Sequence, residues 1–179
     1  MLEIRIHGRG GQGAVTAAQL LAISAFYEGK YSQAFPRFGV ERRGAPVESF
    51  CRIDDSPVHV RSQIYDPDMV LVLEPSLMDA VDVTSGLKEG GIIIVNTSKP
   101  VQDKKYAKFK VYSVDASKVA LEVFKADIVN TAILGAFAKV TGLVSLDSVG
   151  KALGERFPGR EAIVAKNVEC VKKVFDMVQ

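Results

Sequence analysis

The stretch Leu2–Tyr27, LEIRIHGRGGQGAVTAAQLLAISAFY, decides the fold. Leu2–His7 alternates apolar and polar side chains, which predicts a β-strand. Gly8–Gly13 interrupts this alternation, and Ala14–Tyr27 then carries apolar residues at helical spacing. A strand, a glycine-rich loop and a helix in this order begin a βαβ unit, so the sequence predicts an α/β fold.

Six further segments of the chain are predicted to be strands. Two of them lie close together, Val47–Ile53 and Val58–Val60, and the turn between them predicts a β-hairpin inserted beside the main sheet. The others are rich in apolar or β-branched residues and lie at Lys30–Phe35, Asp68–Leu73, Ile92–Asn96 and Lys110–Val114.

Helical periodicity is predicted at Ser76–Ser85 and dominates the chain from Ala116 onward. We therefore expect a single doubly wound, mostly parallel α/β sheet with an inserted β-hairpin and a helical C-terminal third. Because 179 residues suit one hydrophobic core, residues 1–179 are expected to form one domain.

The composition excludes several classes of function. A net charge of +2 with no long basic run argues against nucleic-acid binding. No apolar run approaches the roughly 18 residues that a membrane span needs, and the N-terminus does not resemble a secretory signal. The two cysteines, Cys51 and Cys170, provide neither a disulfide framework nor the ligands of an iron–sulfur cluster. We expect a cytoplasmic protein with no membrane partner, no metal site and no catalytic residue of its own.

The glycine loop, Gly8–Gly13, has the spacing GxGxxG between a strand and a helix. Glycines allow a ligand to approach the backbone closely, and the N-terminus of the following helix attracts anions. The candidate phosphate-binding residues here are Gly8, Arg9, Gly10, Gly11, Gln12 and Gly13. The alternative is that the glycines serve only a tight turn. His7, next to this loop, could act in acid–base chemistry or could be an ordinary strand-end residue.

A Rossmann-type NADP-dependent reductase is the alternative that this motif suggests. Dinucleotide sites usually carry an acidic residue about 20 positions after the glycines, at the end of the second strand. The chain has Ala34–Arg37 at that point, so the ribose contact is missing, although Arg37 could favour a 2′-phosphate.

The arginine loop, Arg37–Pro46, follows the second strand and carries Arg37, Arg42 and Arg43. In a doubly wound sheet this loop lies at the same carboxyl edge as the glycine loop. Arginines there could bind phosphates through charge-assisted hydrogen bonds, or they could contact another protein.

These two loops together resemble the gamma subunit of 2-oxoacid:ferredoxin oxidoreductases of the pyruvate or ketoisovalerate type. The resemblance rests on HGRGGQG at residues 7–13, on QAFPRFGVERRGAPV at residues 33–47 and on NTAILGAF at residues 130–137. It implies a complex that converts a 2-oxoacid, coenzyme A and oxidised ferredoxin to an acyl-CoA, CO2 and reduced ferredoxin.

The resemblance also implies partners and cofactors. The partners are alpha, beta and delta subunits, with ferredoxin bound through the complex. Thiamine diphosphate, Mg and the iron–sulfur clusters belong to partner subunits in this family, so this chain is expected to bind no cofactor alone. Coenzyme A is the substrate that the glycine and arginine loops would help to bind. Two alternatives stay open, loops that contact only partner subunits and a stand-alone coenzyme A or phosphate-binding module.

Overall fold

A computed structural model describes residues 1–37 and 42–178 and contains one six-stranded sheet in the order β2-β3-β1-β4-β5-β6. The strands are β1 Leu2–Arg9, β2 Tyr31–Pro36, β3 Pro46–Asp54, β4 Met69–Val72, β5 Ile92–Asn96 and β6 Lys110–Val114. β1, β4, β5 and β6 run parallel, whereas β3 is antiparallel to both of its neighbours. The predicted mostly parallel α/β sheet is therefore confirmed.

The hairpin is part of this sheet, and its two strands are β2 and β3. The predicted second arm, Val58–Val60, forms no strand, so that detail of the prediction is wrong. β3 instead pairs along its whole length with β1 on one side and with β2 on the other, from Leu2 opposite Ile53 to Arg9 opposite Pro46. Both edges of β3 are thus occupied, and no edge remains for residues 58–60.

The described residues form six helices beside the sheet, and four of them make up the C-terminal third, as predicted. They are α1 Ala14–Tyr27, α2 Leu77–Ala80, α3 Ala116–Phe124, α4 Val129–Thr141, α5 Leu146–Arg156 and α6 Glu161–Met177. α2 is much shorter than the predicted Ser76–Ser85. Val81 is extended, with φ −140° and ψ 157°, and the Asp82 carboxylate accepts from the Thr84 backbone N–H at 3.0 Å. This local turn competes with continuation of the helix.

The two faces of the sheet bury separate apolar clusters. The larger cluster packs α1 and α3–α6 against one face, through residues such as Ile6, Leu71 and Phe137. The smaller cluster covers the β4–β5 part of the other face with α2, the segment that follows it and the 3-10 turn Lys104–Tyr106. Both faces are therefore covered, as a doubly wound sheet requires. No helix among the described residues is both long and apolar enough to cross a membrane.

α6 completes the larger cluster by packing closely on α4. Its buried residues include Cys170, Val171 and Val174. Gly135 of α4 faces the backbone of α6, and a Cβ atom at this position would overlap the Val171 carbonyl oxygen. Thr131 also donates to the Asn167 side chain at 2.5 Å. Gly135 therefore allows two helices to approach more closely than a larger residue would permit.

Replacing Gly135 by Ala should lower the free energy of unfolding by roughly 2–3 kcal/mol, because the added methyl group meets backbone that cannot move aside easily. Gly150 of α5 is the matched control, since a Cβ there would lie 3.7 Å from Val168 in ordinary contact. Gly150→Ala should stabilise the protein by roughly 0.5–1 kcal/mol. Urea unfolding measures both values, and equal effects of the two substitutions would contradict this account of the helix contact.

Candidate functional site

The glycine loop lies at the carboxyl edge of the sheet and leads directly into α1. Gly13 is the N-cap residue of α1 in a left-handed conformation with φ 79°, and no side chain caps the helix. The first turn of α1 contains no acidic residue. The N-terminus of α1 therefore offers backbone N–H groups and a partial positive charge that suit an anion.

The arginine loop returns to the glycine loop, as predicted from their shared edge. The Gly10 N–H donates to the Ala45 carbonyl oxygen at 2.8 Å, and the Gly44 N–H donates to the Gly10 carbonyl oxygen at 3.0 Å. A Cβ atom at Gly10 would overlap the Arg42 carbonyl oxygen. Gly10 is therefore required for this backbone contact, which joins the two loops. Residues 38–41 of the predicted arginine loop lie outside the described residues.

The three arginines of the arginine loop differ in their surroundings. Arg37 donates through Nη1 to Glu48 Oε2 at 2.8 Å, so its charge is paired within the protein. Arg42 and Arg43 are exposed beside the glycine loop. An anion at the carboxyl edge would therefore meet Arg42 and Arg43, whereas Arg37 would first have to leave Glu48.

Arg9 is held within the protein by two hydrogen bonds. Its Nη1 donates to the Gly44 carbonyl oxygen at 3.0 Å, and its Nη2 donates to Ser76 Oγ at 2.8 Å. Ser76 was not predicted as a site residue. Its position just after β4 nevertheless indicates the carboxyl edge of the sheet, where ligands bind in such folds. Arg9 therefore links the arginine loop to the segment after β4.

Gln12 closes the glycine loop on itself. Its backbone N–H donates to the Arg9 carbonyl oxygen at 2.9 Å, and its side-chain Oε1 accepts from the Arg9 N–H at 2.7 Å. The side-chain Nε2 donates to Glu74 Oε2 at 3.3 Å. Glu74 is thus a further residue of the site, and its place at the carboxyl end of β4 is the signal that indicates it.

Asn130, in the first turn of α4, also contacts the glycine loop. A Cβ atom at Gly13 would overlap the Asn130 side-chain amide. Gly13 is therefore required both by its positive φ and by this close approach. The sequence gives no local signal for the contact, because it joins residues more than a hundred positions apart.

His7 is buried beneath the site, with only 2% of its surface exposed. Its Nε2 accepts from Arg5 Nε at 3.0 Å, and its Nδ1 lies 3.7 Å from Glu48 Oε1. Burial, and next the neighbouring Arg5 charge, lower the pKa of His7 to about 4. His7 is therefore neutral near pH 7, with Nε2 occupied by Arg5, and its burial indicates a packed strand residue.

The two thiols are equally unsuited to chemistry at neutral pH. Cys51 and Cys170 are both buried and unpaired with each other. Burial raises the pKa of Cys51 to about 12 and that of Cys170 to about 11. Thiolate is the nucleophilic and metal-binding form, so neither side chain is activated. Within residues 1–37 and 42–178, no three His, Cys, Asp or Glu side chains are grouped so that they could hold a metal ion.

Comparison with known proteins identifies the family of this chain. A model of the pyruvate ferredoxin/flavodoxin oxidoreductase family matches residues 3–177. The chain belongs to this family. The resemblance of the glycine and arginine loops is thereby confirmed, and a stand-alone NADP-dependent reductase is not favoured.

Relatives within the family are subunits of multi-subunit enzymes. The chain is 58% identical over 180 residues to the common subunit gamma of pyruvate/ketoisovalerate oxidoreductases of Thermococcus kodakarensis, covering 98% of this chain and 96% of the relative. The crystal structure of pyruvate oxidoreductase subunit PORC from Thermotoga maritima is 38% identical, with a TM-score of 0.83 over 99% of this chain and 97% of that one. These findings confirm the prediction of a gamma subunit of a 2-oxoacid:ferredoxin oxidoreductase.

A more distant solved structure contains this fold as part of a longer chain. The 2-oxoglutarate:ferredoxin oxidoreductase of Magnetococcus marinus, solved with 2-oxoglutarate, coenzyme A and succinyl-CoA bound, is 19% identical with a TM-score of 0.81. The match covers 99% of this chain and 31% of the Magnetococcus chain. At this identity the likeness shows the fold alone.

The buried state of His7 should make stability depend on pH. The pKa of His7 is about 4 in the folded protein and about 6.5 in an unfolded chain, so the unfolded state binds more protons between these values. His7 should therefore lower the free energy of unfolding by about 3 kcal/mol as the pH falls from about 7 to 4. Urea unfolding at a series of pH values measures this slope.

His7→Gln should flatten the slope, because the glutamine can accept from Arg5 but does not titrate. His59→Gln, at an exposed position, is the control and should leave the slope unchanged. An equally steep decline in His7→Gln would show that other groups cause the acid sensitivity.

Proposed function

We propose that this gamma subunit binds the phosphates of coenzyme A at the joined glycine and arginine loops, within a cytoplasmic complex of alpha, beta, gamma and delta subunits. The complex converts a 2-oxoacid, coenzyme A and oxidised ferredoxin to an acyl-CoA, CO2 and reduced ferredoxin. Thiamine diphosphate, Mg and the iron–sulfur clusters are held by the partner subunits, and residues 1–179 of this chain form one non-redox domain.

The observation that carries this proposal is the contact between the two loops. The hydrogen bonds of Gly10 with Gly44 and Ala45 hold the arginine loop beside the uncapped N-terminus of α1. Backbone N–H groups and guanidinium groups therefore converge on one rim, hereafter the anion rim, which consists of Gly11, Gly13, Arg42 and Arg43. Coenzyme A carries a pyrophosphate and a 3′-phosphate, so it presents several anions to such a rim.

Two further observations support coenzyme A as the ligand. The Magnetococcus marinus oxidoreductase, which shares this fold, was solved with coenzyme A bound. The paired state of Arg37 with Glu48 also weakens the NADP alternative, because Arg37 was the residue that could have received a 2′-phosphate. Arg42 and Arg43 then remain as the arginines that meet the ligand.

Replacing Arg42 or Arg43 by Ala should raise the KM for coenzyme A about tenfold in the complete oxidoreductase and leave kcat close to the wild-type value. Each charge-assisted hydrogen bond contributes about 1.5–3 kcal/mol, and a loss of 1.4 kcal/mol is about a tenfold change. Steady-state kinetics with varied coenzyme A and saturating 2-oxoacid and ferredoxin measure both constants.

Arg160→Ala removes an exposed arginine at the start of α6 and is the matched control, with no change in KM expected. Gel filtration of each complex reports its assembly. If the subunits separate while the KM of the remaining complex is unchanged, the arginines form a subunit interface and the coenzyme A proposal is wrong.

A further inference from the structure

Gln12 and Glu74 form a side-chain pair that fixes the glycine loop. Residues 9–12 form a tight turn that two hydrogen bonds close. The Gln12 N–H donates to the Arg9 carbonyl oxygen, and Gln12 Oε1 accepts from the Arg9 N–H. Because Oε1 accepts from the backbone, the amide nitrogen of Gln12 is directed to the Glu74 carboxylate at 3.3 Å. Both polar atoms of the Gln12 side chain are thus used inside the protein.

Glu74 is itself anchored at the carboxyl end of β4. The backbone just before it continues the sheet ladder, with the Leu73 N–H donating to the His7 carbonyl oxygen at 2.9 Å. Glu74 Oε1 accepts from the Ser76 N–H at 3.3 Å, and Oε2 accepts from Gln12. The position of the carboxylate is therefore set by the sheet.

The negative charge of Glu74 gives the glycine loop two different sides. The side that faces Glu74 repels an anion, because a carboxylate lies within hydrogen-bond reach of Gln12. Gly11 is exposed with φ 95°, and the Arg43 side chain lies beside it, with Cγ 3.9 Å from the Cβ position of Gly11. A phosphate is therefore more favourable near Gly11 and Arg43 than beside the Glu74 carboxylate.

We infer that Gln12 and Glu74 are positioning residues, which hold the glycine loop in the shape that binds phosphate and do not contact the ligand. This inference rests on the proposed function of the anion rim. It changes the role of Gln12, whose amide would otherwise be expected to donate to the phosphate. It also adds Glu74, which acts through Gln12.

The test exchanges the amide of residue 12 and the carboxylate of residue 74 in the complete oxidoreductase. Gln12→Glu alone places two carboxylates opposite each other, so the loop is displaced and the KM for coenzyme A should rise about tenfold with kcat nearly unchanged. The double variant Gln12→Glu, Glu74→Gln restores a matched pair. The carboxylate at position 12 accepts from the Arg9 N–H, and the amide at position 74 donates to it. The KM of the double variant should return to within about threefold of the wild-type value.

A ligand-contacting Gln12 gives the opposite result in this exchange. The carboxylate at position 12 would then repel the phosphate whatever residue occupies position 74, and the double variant would be as poor as Gln12→Glu. That result, or an unchanged KM in Gln12→Glu, overturns the inference. Gln19→Glu makes the same chemical change at an exposed position of α1 and is the control for added charge.

A second variant covers the case in which Gln12→Glu prevents assembly. Glu74→Ala removes the acceptor of Gln12 together with a negative charge that disfavours an anion, so a rise in KM can come only from loss of the fixed loop shape. It should raise the KM for coenzyme A severalfold at constant kcat. An unchanged KM in this variant overturns the inference as well. Arg42→Ala reports separately on the anion rim. If Arg42→Ala leaves the KM for coenzyme A unchanged, the proposed function is wrong. If Arg42→Ala raises the KM but the double variant does not restore it, only the positioning role is wrong.

Discussion

Gly10 exchanges two backbone hydrogen bonds with Gly44 and Ala45, and the site depends on this contact. It arises because β3 lies between β1 and β2 in the sheet, so the chain that enters β3 at Pro46 is brought opposite Arg9. An arginine-bearing segment and a glycine loop thus become neighbours through strand pairing. A larger residue at Gly10 would overlap the Arg42 carbonyl oxygen and separate them.

Charge around this edge is distributed unequally. Glu48 pairs with Arg37 on one side, and Glu74 faces Gln12 on another. Arg42 and Arg43 are exposed beside the glycine loop that leads into α1. The carboxylates confine the positive potential to a small region of the rim, which favours a ligand with clustered negative charges over a generally anionic surface.

Local patterns in the sequence were sufficient to predict the elements but not all of their partners. The alternation in Leu2–His7 and the apolar run Ile92–Asn96 correspond to β1 and β5, because strand periodicity and burial are recorded in neighbouring residues. The segment Val58–Val60 was wrongly paired, since the choice of strand neighbours depends on residues far apart in the chain. The two loops and their common edge followed from topology. The place of Glu74 at the carboxyl end of β4 indicates the same edge, but its pairing with Gln12 required tertiary structure. So did the contact of Asn130, because no spacing in the sequence relates it to the glycine loop.

The close contact of Gly135 with Val171 has a consequence for biosynthesis. When α4 has just left the ribosome, α6 is still inside the exit tunnel, and the flat surface that Gly135 creates on α4 has nothing to cover it. The nascent chain therefore exposes the apolar side of α4 until α6 has also emerged. During this interval a chaperone can bind the uncovered side of α4.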